Sequence, residues 1–186
     1  GQGFVLTTPL QLAVMTSRLA SGKAVEPHLV HGVVSGGVVR PLDVPSVADI
    51  KISSEVRQLV MGGMNAVSNT ERGTAYRARI KEPGFELAGK TGTAQVKRIS
   101  KHERDTRALK NKERPWKDRD HALFVAFAPV EKPRYAIAVV VEHGGGGSTV
   151  AAPIARDIMH ETLKRDPSGY RERDGVAGEK GKGRKA

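Results

Sequence analysis

Apolar side chains recur along this chain at two spacings, and the change from one to the other predicts its elements. In TTPLQLAVMTSRLASG, Thr7 to Gly22, the apolar residues fall at helical intervals with end signals on both sides. Thr8 can cap the first turn, Pro9 suits the first helical position, Gln11 stands where a capping box needs it, and Gly22 is a natural stop. From Ser53 or Ser54 onward, Val56, Leu59, Val60, Met64 and Val67 mark a second amphipathic helix. Between them, VEPHLVHGVVSGGVVRPLDVP mixes β-branched residues with Gly and Pro, which predicts short strands or a hairpin around Ser35-Gly36-Gly37.

The second half is strand-rich. Residues Phe85 to Val96 form a strand-like segment, and HALFVAFAPV and RYAIAVVVEHG are strong strand candidates. The turn EKP joins the latter two, so they pair as an antiparallel hairpin. After Gly144 to Gly147, Val150, Ile154, Ile158 and Met159 mark a last amphipathic helix, with Pro153 leaving its start open. The glycine run is expected to be a strand-to-helix turn, with a flexible rim beside a site as the alternative. Helices first, then three strands, then a helix: this order predicts an α/β protein of the α+β kind, with an antiparallel sheet packed with helices rather than βαβ units. No internal repeat is visible.

Two segments break the pattern. Lys97 to Arg119 has no apolar periodicity, and loops of that length inside a compact domain are usually functional or mobile. Beyond about Arg165 the chain is rich in Gly and charge, so residues 166–186 are expected to be a disordered basic tail. These segments also explain the net charge of +11. Lys97–Arg119 holds ten Lys/Arg against four acids, and Lys164–Ala186 eight against four, while the rest has thirteen against twelve. The body is therefore nearly neutral. Aromatics do not interleave with the basic residues, as a base-stacking surface would require, so no nucleic-acid partner is expected and a basic nucleic-acid-binding protein is only a distant alternative. A solvated loop and tail account for the charge, with an acidic surface such as a membrane as the functional alternative.

With 186 residues, the chain can bury one sizeable core. It opens on Gly1 rather than Met and enters structured-looking sequence almost at once, so it is expected to be a piece of a longer protein. No apolar run approaches the roughly 18 residues of a membrane helix. The absence of cysteine excludes disulfides and thiolate metal sites. His28, His31, His102, His121, His143 and His160 lack tight metal-ligand spacing, so no metal or other cofactor is expected. Asp120 and His121 open one strand and His143 ends another, which lets them rim a cleft.

The chemistry centres on GFELAGKTGTAQV, Gly84 to Val96, which matches two incompatible patterns. From Gly84 it satisfies the phosphate-cradling loop of nucleotide hydrolases. Such a loop needs a buried strand before it and a helix N-terminus immediately after. Here ARIKEP precedes it, Phe85 and Glu86 fill the cradle, and GTAQV follows. The context does not fit, and a nucleotide hydrolase remains a distant alternative.

From Lys90 the same stretch is a lysine-threonine-glycine triad on a strand. Alternation puts Lys90, Gly92 and Ala94 on one face, and Thr91 and Thr93 on the other. Glycines at 89 and 92 leave room for a ligand backbone to lie close. An edge strand can take up an extended peptide, Lys90 supplies a fixed cation, and the threonine hydroxyls can donate to a carboxylate. A backbone N–H can serve an oxyanion hole.

Together with the opening GQGFVLTTPLQLA, the helix end GTAYRARI, and RDHALFVAFAPV followed by PRYAIAVVVEHGGGG, the triad resembles the class B penicillin-binding proteins. Within them, the peptidoglycan transpeptidases of cell elongation are most alike. The likeness runs to about Leu163 and includes the long charged loop after the triad. It implies residues 1–165 as the C-terminal portion of a transpeptidase domain with a partial penicillin-recognising, β-lactamase-like fold. It implies D,D-transpeptidation: a serine attacks the penultimate D-Ala carbonyl of a stem peptide, D-Ala leaves, and a neighbouring amine resolves the acyl-enzyme.

In that scheme Lys90 organises the cleft's electrostatics and proton transfers. Thr91, Gly92 and Thr93 bind the donor, with both threonines on its terminal carboxylate or that of a β-lactam, and the N–H of Thr93 joins the oxyanion hole. The partners implied are stem peptides, β-lactam antibiotics and a membrane glycosyltransferase of the elongation complex. The location implied is the bacterial inner membrane, with this domain facing the periplasm. The family also needs Ser-x-x-Lys and Ser-x-Asn motifs, and no serine here has Lys three residues on or Asn two residues on. The nucleophile must then come from elsewhere, and this chain alone is expected to be inactive. A D,D-carboxypeptidase, a serine β-lactamase or a non-catalytic interaction module shares the triad and stays open.

Overall fold

The computed structural model describes residues 5–30, 32–36, 38–41, 46–97, 101, 105–106 and 110–168. Helix α1, Pro9–Ser21, begins and ends on the predicted signals. The Thr8 hydroxyl accepts from the Gln11 N–H, the Gln11 side chain accepts from the Thr8 N–H, and Gly22 stops the helix in the left-handed region at φ 74°. Strands β1, Gly32–Ser35, and β2, Val38–Pro41, form the predicted antiparallel hairpin as a separate two-stranded sheet. Helix α2, Ser54–Asn69, is capped by the Ser53 hydroxyl on the Val56 N–H. The Arg57 guanidinium donates to the carbonyls of Leu19 and Ala20, which joins α2 to the C-terminal end of α1.

The main sheet has three antiparallel strands in the order β3-β4-β5: Ala88–Ala94, His121–Ala128 and Tyr135–Val141. All are shorter than the apolar runs that predict them. The first begins three residues after Phe85, just past Leu87, whose carbonyl is held by the Asn69 side chain at the end of α2 at 2.9 Å. A turn of π-helix, Gly147–Ala151, leads without a break into helix α3, Ala152–Arg165, with Pro153 as its second residue.

The strand alternation sorts the core into two layers. Ala88 and Phe127 pack with Ala20 of α1 and Met64 of α2 on one face. On the other, Ala122, Phe124, Ala126 and Ala128 meet Ala152, Ala155, Met159 and Leu163 of α3, together with Leu87, Ala75, Ala78 and Ile80. The small residues let the helices sit close on the sheet, and the two phenylalanines fill the remaining space.

The end of α3 is fixed electrostatically. Asp166 adopts the left-handed conformation at φ 44°, and its carboxylate accepts from Arg134 at 2.8 Å and from the Tyr135 hydroxyl at 2.7 Å. The two charged side chains are only 8% and 9% exposed. Asp166→Ala leaves the Arg134 charge buried without this carboxylate, and we expect a loss of about 3 kcal/mol, seen as a lower thermal midpoint of the domain.

The basic segment is not a purely solvated loop. Its last ten residues form two short 3₁₀ turns, Asn111–Glu113 and Trp116–Asp118, anchored to the end of the sheet. The Arg114–Asp120 ion pair, 12% and 15% exposed at 3.0 Å, takes one of the predicted loop charges out of solvent. Residues 98–100, 102–104 and 107–109 of that segment, and residues 169–186 of the expected tail, lie outside the described residues.

Candidate functional site

The triad occupies the middle of β3, which among the described residues is an edge strand of the main sheet. Seven consecutive pairs join it to β4, from Ala88 with Phe127 to Ala94 with His121, without a bulge. The alternation therefore holds. Lys90 and Gly92 share the face covered by α1 and α2, and Thr91 and Thr93 share the face covered by α3. Lys90 and Thr93 are exposed, and Thr91 and Gly92 half-buried, so all four are accessible from outside.

The Lys90 ammonium folds back onto the strand and donates to the Thr91 carbonyl at 2.8 Å. It is an accessible cation held beside the main chain of the triad. The Thr91 hydroxyl lies 3.1 Å from that of Thr74, in the turn that follows α2. A cation and two hydroxyls along an exposed strand edge can hold an extended peptide and fix a carboxylate at one end of it.

The glycines serve the protein itself more than a ligand. A Cβ at Gly89 would lie 2.4 Å from the Phe124 ring and 2.6 Å from the Val125 carbonyl. The room expected there for a ligand backbone is thus taken by the core ring of the neighbouring strand. At Gly92 a Cβ would meet the Leu123 side chain at 3.2 Å, a tight contact, so this glycine too lies close against the neighbouring strand.

The glycine run after β5 turns back as expected, and it also supports the triad. Gly147 is buried against the main chain of β3 and β4: a Cβ there would lie 2.3 Å from the Leu123 oxygen and 2.4 Å from the Gly92 oxygen. The entry to α3 thus rests on the backbone of the triad glycine.

Asp120, His121 and His143 come together at the end of β3. His121 pairs with Ala94, its Nδ1 accepts from the His143 N–H at 2.9 Å, and the two rings meet edge to face at 4.8 Å. His143 Nδ1 pairs with the Arg119 carbonyl, and Trp116 lies against the His143 ring at 4.3 Å. Asn111 holds the Asp120 N–H, and the Asp120 carbonyl accepts from Gly145. The histidines thus clamp the basic segment to the sheet. Among the described residues no cluster of His, Asp or Glu could hold a metal ion.

Sequence reasoning assigned nothing to Thr74, Trp116 or Asn111. The first was visible only within GTAYRARI, one of the stretches that carry the family likeness. The other two had no signal, since an aromatic and an amide inside a charged segment carry no periodicity.

A family model described as the penicillin binding protein transpeptidase domain matches residues 1–160. The peptidoglycan D,D-transpeptidase MrdA of Haemophilus influenzae is 37% identical over 168 residues, covering 89% of this chain and 25% of the relative. Among solved structures, the penicillin-binding protein PBP2 of Helicobacter pylori in complex with MreC superposes with a TM-score of 0.67 at 32% identity, over 88% of this chain and 26% of that one. PBP2 of Pseudomonas aeruginosa in complex with WCK 5153 follows with a TM-score of 0.64 at 36% identity, over 88% of this chain and 32% of that one. The chain spans about a quarter of the length of the curated relatives it matches.

Proposed function

The chain belongs to the penicillin-binding protein transpeptidase domain family, and from that premise we propose that it forms the triad-bearing wall of the acyl-transfer cleft in a peptidoglycan D,D-transpeptidase. The observation that carries this is the Lys90-Thr91-Gly92 triad on an accessible edge strand, inside a fold shared with transpeptidases over 88% of the chain. Residues 1–165 are then the C-terminal portion of the transpeptidase domain, and a serine from another part of the protein completes the site.

The chemistry follows from the residue types. The stem peptide lies along the edge of β3, with its terminal carboxylate on the hydroxyls of Thr91 and Thr93. Lys90 stabilises the negative charge of the cleft and assists proton movement between the serine and its base. When the serine oxygen attacks the penultimate carbonyl, the new oxyanion accepts from the Thr93 N–H. The C–N bond to the last D-Ala breaks and that amine leaves protonated. An amine of a second stem then attacks the ester and frees the serine. A β-lactam with a carboxylate in the same position enters by the same contacts and stays as the acyl-enzyme.

Resemblance to the elongation-type enzymes supports a location at the bacterial inner membrane with this domain in the periplasm, beside a membrane glycosyltransferase. The test is the fate of the acyl group. With stem-peptide donor and acceptor, the full-length protein is expected to yield mainly cross-linked product. If nearly all product is hydrolysed, the protein is a carboxypeptidase or β-lactamase, and the absence of any acylation makes it an interaction module.

A further inference from the structure

The turn that leaves α2 places one hydroxyl with unusual care. At Gly73 a Cβ would lie 2.3 Å from the Val67 oxygen and 2.4 Å from the Ala66 oxygen, so the chain is pressed onto the last carbonyls of the helix. Two residues on, the Ala75 N–H donates to the Val67 carbonyl at 2.9 Å, and the Ala75 side chain is 2% exposed in the core under the sheet. The Tyr76 N–H closes the turn on the Gly73 carbonyl. Thr74 is held between these fixed points. Its hydroxyl reaches across to β3 and lies 3.1 Å from the Thr91 hydroxyl, seventeen residues away in sequence.

A threonine hydroxyl has one proton and two lone pairs. If Thr91 spends its proton on Thr74, it can only accept, and it repels a carboxylate. If Thr74 donates, the Thr91 oxygen is satisfied and its proton is free to point outward. Aligned hydroxyls in such a chain polarise one another, so the outer donor is strengthened. We propose that Thr74 is a positioning residue: it donates to Thr91 Oγ1 and so directs the Thr91 proton at the carboxylate of the stem peptide or β-lactam. The proposal rests on the reading that Thr91 binds that carboxylate.

The test uses the full-length protein and two probes, a fluorescent penicillin with its free carboxylate and the methyl ester of the same compound. In Thr74→Val, which keeps the shape and removes the hydroxyl, covalent labelling by the free acid is expected to slow about tenfold, the size of one hydrogen bond to a charged group. Labelling by the ester stays within about twofold, and Thr74→Ser restores the acid rate, since only the hydroxyl matters. On a Thr91→Val background, adding Thr74→Val costs nothing further.

Normal labelling of Thr74→Val by the acid, while Thr91→Val is slow, overturns the inference and leaves the reading beneath it standing. Equal slowing with acid and ester assigns Thr74 a role in shape alone and also overturns it. Normal labelling of Thr91→Val strikes the underlying reading instead. Melting curves establish that each variant is folded, and Thr74→Ala replaces Thr74→Val if that variant is not.

Discussion

Replacing Lys90 with alanine in the full-length protein is expected to slow covalent labelling by a fluorescent penicillin by about a thousandfold, the middle of the range for losing a group that assists proton transfer. The reasoning starts from where the ammonium is. It projects from an exposed edge strand, and the only partner it has within the triad is the Thr91 carbonyl of its own backbone. No carboxylate neutralises it in an ion pair among the described residues. On the proposed reading its charge is thus available to a cleft where a nucleophilic serine would lose a proton and an oxyanion would form. Stability should barely move, because an exposed side chain contributes little to the core. An unchanged labelling rate in a folded Lys90→Ala variant would remove Lys90 from the mechanism.

Gly147→Ala is expected to act through the fold and to reach the same site. The added methyl points at main-chain oxygens of Leu123 and Gly92, which cannot turn aside as a side chain would. The entry to α3 must then lift off the sheet, or β3 must shift relative to β4. Overpacking of this kind costs about 3 kcal/mol, and the melting midpoint should fall accordingly. Because the displaced strand carries the triad, the labelling rate at a temperature where the variant is folded should fall as well, by about tenfold for a shift that breaks one catalytic contact. The neighbouring Gly146→Ala makes the control. Its Cβ would meet only the Thr149 hydroxyl, at 3.0 Å, in a backbone conformation open to alanine. A Gly147→Ala protein that melts and labels like Gly146→Ala would show that the contact with the triad strand is not functional.

Local signals carried most of the fold. The cap at Thr8, the stop at Gly22, the helix start at Ser53 or Ser54 and the apolar runs of β4 and β5 are statements about neighbouring residues, and each marks an element of the structure, the strands being somewhat shorter than their runs. The order of elements then left an antiparallel sheet as the simple arrangement. What stayed hidden depends on pairs far apart in sequence. Gly89 looked like ligand space, but the ring that fills it sits thirty-five positions later at Phe124. The basic segment looked solvated because periodicity is blind to an anchor made of Asn111, Arg114 and Trp116, which hold Asp120 and His143 individually. Thr74 was visible only as part of a likeness. Its aim at Thr91 follows from the pressure of Gly73 on α2, a contact of carbonyl oxygens that no side-chain pattern records.

The division of β3, with its cation on one side and its hydroxyls on the other, has a stereochemical consequence. A ligand lying along that edge meets positive charge above its main chain and hydroxyl donors below it. Inverting one α-carbon exchanges the positions of its side chain and its hydrogen, so one enantiomer fits between the two walls and its mirror image turns a methyl into one of them. On the proposed reading, the pleat of this single strand would then contribute to telling one configuration of the bound residue from the other.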